Sequence, residues 1–179
     1  MNSKSRNTDV FIVGGGPAGL GAAIAARRAG LRATVADSRL PPIDKTCGEG
    51  LMPDAVAALH SLGVHFQADE AIPFRGIRFL DGRTGLSTEA RFPTGVGLAV
   101  RRTILHSKLV ERAAADGVEM HWGAQVSLLN QSRVACDGCQ IDGAWIIGAD
   151  GMQSLVRKWA GLHPSRRENR RFGFRRHFR

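Results

Sequence analysis

Four apolar residues in a row, Val10 to Val13, follow the polar start MNSKSRNTD and read as a strand covered on both faces. Three glycines come next, and then a helical period. Leu20, Ala23, Ile24 and Ala26 fall on one side of a segment from Pro17 to about Ala29, with Pro17 suited to the first turn and Gly30 past the end. A second apolar strand, Ala33 to Ala36, ends in Asp37. Strand, glycine turn, helix, strand and acid form the unit around which the rest of the chain is expected to fold.

The pattern then breaks. SRLPPIDKTCGEGLMP contains Pro41, Pro42, Gly48, Gly50 and Pro53, which forbid a long regular element, and so long a loop after a strand is functional or disordered. Asp54 to Leu62 reads as a short helix with Ala55, Ala58, Leu59 and Leu62 on one face and Gly63 beyond it. Ile77 and Phe79 alternate with Arg78, an Asp81-Gly82 turn follows, and Thr88, Ala90 and Phe92 alternate with Glu89 and Arg91. This predicts a meander of strands between Ile77 and Val100.

Arg102 to Ala115 reads as an amphipathic helix with Ile104, Leu105, Leu109 and Ala113 inward, closed by Asp116-Gly117. Val118 to His121 would then rejoin a parallel sheet through a crossover. Ala124 to Leu129, Arg133 to Cys136 and Gln140 to Ile147 read as an antiparallel flap, the last strand apolar enough to lie in the main sheet, and a helix starts between Gln153 and Ala160. The predicted fold class is α/β, a Rossmann-type parallel sheet with an antiparallel flap and the start of a second domain.

With 179 residues, 43% hydrophobic and 23% charged, the chain can bury one real core but not two full ones. Three cysteines, an odd number, and no signal-peptide pattern imply a reducing cytoplasm and no disulfide framework. No apolar run approaches the roughly 20 residues of a membrane helix. The net charge of +9 is unevenly placed: residues 163–179 hold seven arginines and one acid, or +6, leaving +3 for everything before them. RFGFRRHFR, at the end, interleaves Phe172, Phe174 and Phe178 with polar residues. It reads as a strand with arginines on one side, or as a surface for bases and phosphates.

Gly14, Gly16 and Gly19 have the G-x-G-x-x-G spacing, with Pro17 and Ala18 between them, and Asp37 stands 23 positions after Gly14. Unpaired N–H groups at a helix start hold two phosphates, and an acid ending the second strand meets a ribose hydroxyl, so the unit points to a dinucleotide. Cys136-Asp137-Gly138-Cys139 reads as a hairpin turn and not as half a zinc site, because no second cysteine pair or histidine cluster accompanies it, and no metal is expected. The six histidines are scattered, and no serine nucleophile motif occurs.

At GADGMQSLVRKWAGL the chain gains a second nucleotide motif: a strand ending in Gly148-Ala149-Asp150-Gly151, then Ser154 and Val156-Arg157. Together with the glycine turn, this resembles FAD-dependent oxidoreductases of the aromatic-hydroxylase type. Lys45-x-Cys47-Gly48-Glu49-Gly50-Leu51-x-Pro53 is most similar to the loop of geranylgeranyl reductase-like and halogenase-like flavoproteins. The resemblance implies that Gly14, Gly16, Pro17, Ala18 and Gly19 hold the pyrophosphate of FAD, and Asp37 with Ser38 the adenosine ribose. Arg102 matches the arginine that opens an R-x-x-F-D helix and contacts FAD near its phosphates and ribityl chain, but Leu105-His106 replaces Phe-Asp here. The resemblance also implies that the backbone of Val126 meets adenine, that Asp150 and Gly151 approach the ribityl and pyrophosphate, and that Glu49 lies near the flavin edge with Cys47 and Gly48. From the residues alone, Glu49 equally suits a cap on the helix after Pro53, and Cys47 a packing thiol.

The resemblance implies the FAD-binding portion of an oxidoreductase that passes a hydride from NAD(P)H to FAD and on to an alkene or oxygen. No acid–base residue is assigned. A later G-D-A motif of the family is not in this sequence, so the expectation is the N-terminal part of a longer flavoenzyme. That part would comprise a disordered stretch over 1–8, the FAD-binding domain over 9–162, and a basic strand over 163–179 leading to a substrate domain. The expected partner is a small-molecule substrate, with an apolar one and peripheral membrane contact both open, and no nucleic acid. Two other readings stand beside this one: a non-catalytic remnant, and a nucleic-acid binder acting through the basic tail.

Overall fold

The computed structural model describes residues 6–162 and 173–178. In chain order these form β1 (Arg6–Val13), α1 (Pro17–Arg28), β2 (Ala33–Asp37), β3 (Gly50–Leu51), α2 (Pro53–Ser61), β4 (Ala71–Phe74), β5 (Gly76–Leu80) and β6 (Ser87–Arg91). There follow β7 (Gly97–Val100), α3 (Arg102–Ala115), β8 (Glu119–Trp122), β9 (Val126–Leu128), β10 (Arg133–Cys136), β11 (Cys139–Gly148) and α4 (Leu155–Trp159).

The main sheet has the order β8-β2-β1-β11-β10-β9. The first four strands are parallel, while β11, β10 and β9 are antiparallel, so β11 belongs to both the sheet and the flap. Both faces of β1 are covered, which is why its sequence shows no alternation. Val10 and Ile12 enter one core with Leu20 and Ile24 of α1, Val35 of β2 and Leu109 of α3. Phe11 and Val13 face the opposite way, into a second core with Ala36, Ala124, Val134, Cys136 and Ile141. Helices α1 and α3 therefore lie on one face, and the flap, joined by Val156 and Trp159 of α4, on the other.

Strand β1 starts at Arg6, so residues 6–8 belong to the sheet and not to a disordered stretch ending at residue 8. Their polar side chains hide the strand from a hydrophobicity reading, yet Arg6 and Thr8 pair with Ile141 and Gly143, and the buried Thr8 hydroxyl donates to the Arg32 carbonyl. The expected meander over residues 77–100 divides in two. Strands β5 and β6 form a hairpin of their own, whereas β7 lies between β3 and β4 in a separate sheet. In α3 the inward residue missed by the apolar pattern is His106, which is wholly buried beside Leu109 and Ala113.

The basic strand expected over 163–179 is not a strand where it is described. Residues 173–178 have no regular secondary structure, and side chains fix them instead: Arg175 reaches Asp44 and Glu49, and His177 reaches Glu49. Phe172 and the arginines at 166, 167, 170, 171 and 179 lie outside the described residues. Among the described residues, no helix is long and apolar enough to cross a membrane.

Candidate functional site

The site lies where β1, β2 and β11 end together, the place at which parallel sheets present ligand sites. The β1–α1 turn and the turn after β11 pack on each other there. Gly14 has φ +109°, and a Cβ on it would overlap the Ala149 carbonyl. A Cβ on Gly19 would overlap the Gly14 carbonyl, so the helix start presses against the strand end. The unassigned middle glycine of the triplet, Gly15, is also required, because a Cβ there would enter the Trp122 ring.

Asp37 is turned onto this loop. Its Oδ2 accepts the Gly15 N–H at 2.8 Å and its Oδ1 accepts the Arg39 N–H at 2.9 Å, which fixes the carboxylate plane and leaves a lone pair on each oxygen. Ser38 follows in an exposed bend. Helix α1 has Gly16 as its N-cap residue, with no side-chain cap and no acid in its first turn; Pro17 is half-buried and Ala18 exposed. The Arg102 guanidinium lies alongside, 3.7 Å from where a Cβ of Gly16 would stand, and its Nε donates to the Ile43 carbonyl at 3.4 Å.

Helix α3 is treated differently. The Arg102 backbone N–H donates to Glu49 Oε1 at 2.8 Å, so Glu49 caps α3, and not α2, which follows Pro53 and has no side-chain cap of its own. Glu49 holds φ +55° to do this, while its own carbonyl accepts the Val100 N–H. Burial by itself would raise the Glu49 carboxyl, but the Arg102 N–H, His177 and Arg175 outweigh it and hold it below the ordinary range. Cys47 is half-buried and Gly48 exposed, and with Glu49, Arg175 and His177 they line an open cleft of about 570 Å³.

Asp150 caps α4. It accepts the Ser154 hydroxyl at 2.5 Å and the Leu155 and Val156 N–H groups at 2.6 and 3.3 Å. Burial opposes its charge, yet these donors keep the carboxyl low. At Gly151, φ +81°, the Lys45 ammonium lies where a side chain would be. The structure therefore brings Gly14, Gly16, Gly19, Asp37, Glu49, Arg102, Asp150 and Gly151 to one end of the sheet. Val126 begins β9, its side chain packed against the second core, two residues after Ala124, whose N–H donates to the Asp37 carbonyl at 2.9 Å.

His106 is the residue that sequence reasoning left without a role. It lies in the position where the resembling helix has an acid, and its Nε2 meets the Gly15 carbonyl at 2.9 Å, so Nε2 carries the proton and the glycine turn is held from below. Nδ1 is buried without a partner among the described residues, and the ring lies 5.9 Å from that of Trp122. Burial pushes the imidazole pKa down, and the nearby Arg102 charge adds to this, while the Gly15 carbonyl and Asp37 oppose it. A lowered folded-state value means that the unfolded chain binds the proton first. Stability is then present above about 6.5 and lost as pH falls below it. The expected result is a melting temperature that declines below that pH in the parent chain and declines less in His106→Gln, measured by circular dichroism at matched ionic strength.

Comparison with known proteins places the chain in a family. The model of the FAD binding domain matches residues 7–174. Menaquinone reductase of Mycolicibacterium smegmatis is 34% identical over 174 residues, which cover 90% of this chain and 41% of that protein. The chain thus spans less than half the length of this relative. Among solved structures, PqsL of P. aeruginosa in complex with 2-aminobenzoylacetate superposes with a TM-score of 0.78 at 19% identity, over 90% of this chain and 48% of the other. A geranylgeranyl bacteriochlorophyll reductase-like protein from Thermoplasma acidophilum superposes at 0.69 with 24% identity, over 88% and 43%. These two likenesses establish the fold; the sequence match over nearly the whole chain establishes the family. The chain belongs to the FAD binding domain family.

Proposed function

We propose that this chain supplies the flavin-holding part of an oxidoreductase that takes reducing equivalents from NAD(P)H and delivers them to a small apolar acceptor or to oxygen. The observation that carries the reading is the start of α1. Its N–H groups have no side-chain cap and no acid in the first turn, the loop before it is glycine, and the Arg102 guanidinium lies alongside. That combination suits a pyrophosphate. Gly14, Gly16, Pro17, Ala18 and Gly19 would hold it, with Asp37 on a ribose hydroxyl and the backbone of Val126 on adenine.

Asp150, Gly151 and Lys45 would border the ribityl chain, and Cys47, Gly48 and Glu49 the flavin edge. Bound FAD supplies two-electron transfer. The residues of this chain bind it, set its orientation against the end of the sheet and shield it from water. Similarity to a protein named menaquinone reductase supports an apolar acceptor. The test is anaerobic mixing of the FAD-loaded chain with NADH and with NADPH. Visible flavin absorption should fall faster than for free FAD with at least one donor; equal rates with both would reject the nicotinamide donor.

A further inference from the structure

At the edge of the second core lies a group of donors, Cys136 buried in it, that the flavin reading does not use. His121 lies on β8, at one edge of the main sheet, and Cys136 on β10, with β2, β1 and β11 between the two strands in the sheet order. The flap nevertheless folds across the face of the sheet, and one ligand atom each from His121, Cys136 and Asp137 comes within 4.8 Å of the others. The three come from segments 15 residues apart in sequence and two layers of the fold.

We infer that His121, Cys136 and Asp137 form a binding site for a zinc-class divalent cation that pins the flap to the parallel sheet.

The donor set carries the choice of metal. Imidazole, thiolate and carboxylate together suit zinc and cobalt, whereas magnesium and calcium take oxygen donors. Each side chain is also placed for the task. Cys136 is 1% exposed and fixed in the ladder opposite Cys139. Asp137 holds φ +49° and Gly138 φ +74°, a tight hairpin turn that carries the carboxylate back over the thiol. His121 Nε2 meets Glu119 Oε1 at 3.1 Å, and a carboxylate on the second nitrogen of a ligating imidazole fixes its tautomer and orientation. With Nε2 donating to Glu119, the lone pair is on Nδ1.

Burial pushes the Cys136 thiol up to about 11, with Asp137, Cys139 and Glu119 adding to the rise. Without a cation the thiol is therefore protonated and inert at neutral pH. A cation entering past the exposed Asp137 forms the metal–sulfur bond as the S–H bond breaks, and the proton leaves to water; no electron is transferred. With three protein donors, a tetrahedral ion keeps one position for water. The consequence is a staple on the face of the sheet opposite α1 and α3, so the proposal stands whether or not flavin binds.

Cobalt titration of the reduced full chain, without flavin, tests it. A cobalt–thiolate charge-transfer band should grow to saturation, and zinc should displace it. Cys139→Ser and Cys47→Ser should keep the band. Cys136→Ser should abolish it. Asp137→Asn retains a side chain tolerant of the left-handed turn, and should weaken cobalt about 10- to 100-fold, the loss typical of removing a ligand or its support. No band in the parent chain, a band that survives Cys136→Ser, or unchanged affinity in Asp137→Asn would overturn the site. Zinc should also raise the melting temperature of the parent and raise it less in Asp137→Asn at the same concentration; equal rises would overturn it too.

Discussion

Gly14→Ala is expected to weaken FAD binding by about 100-fold or more, which corresponds to about 2.7 kcal/mol, and to destabilise the chain by about 3 kcal/mol. Two costs combine. A side chain at φ +109° is strained, and the added Cβ overlaps the Ala149 carbonyl and comes within 2.8 Å of the Asp150 nitrogen. Relief requires the β1–α1 turn to move off the turn after β11, and both turns border the proposed pyrophosphate site. Gly30→Ala is the control: its φ is +81°, but nothing lies within 4 Å of a Cβ there. It should cost about 1 kcal/mol and leave FAD affinity unchanged. Denaturant unfolding and flavin fluorescence titration read the two effects separately.

Glu49→Ala is expected to cost about 2–3 kcal/mol, or about 4 to 12 °C in melting temperature for a domain of this size. The loss arises from groups left behind. The Arg102 N–H loses its acceptor, Arg175 loses an ion-pair partner whose side chain is only 15% exposed, and His177 Nε2 loses its hydrogen-bond partner. Because the Glu49 carboxyl is held below its ordinary value of 4.5, its contribution is present above that pH and disappears as pH falls through the lowered folded-state value. The parent should therefore lose its advantage over Glu49→Ala in strong acid. A difference in melting temperature that stays constant from neutral pH to pH about 2 would contradict this assignment.

How far the sequence could be read depended on the range of each interaction. The β1–α1–β2 unit was legible because its signals are local: an apolar run, glycines at the turn, a helical period and an acid. The same applies to the Cys136–Cys139 hairpin, whose Asp-Gly centre takes the left-handed conformations its residue types favour. Interactions between distant segments were not legible. Glu49 caps a helix that begins 53 residues later, and no pattern at either end specifies the pair.

Trp122 explains why Gly15 must be glycine, yet the two are brought together only by the parallel crossover. His106 was hidden because a polar residue on an apolar face normally marks the edge of the stripe. Here a backbone carbonyl in the glycine turn makes burial of its Nε2 tolerable. Strand β7 left the predicted meander for β3 and β4 since alternation specifies a face and not a partner.

The turn at Gly14 to Gly19, with Asp37 and Arg102, is proposed to hold the dinucleotide part of FAD. FAD titration of the chain, followed by flavin fluorescence and the visible spectrum, tests this for the parent, Gly14→Ala and Gly30→Ala in parallel. A single saturable site is expected in the parent and in Gly30→Ala, with loss of uptake in Gly14→Ala. A folded parent chain that takes up no FAD, or Gly14→Ala binding as tightly as the parent, would contradict it.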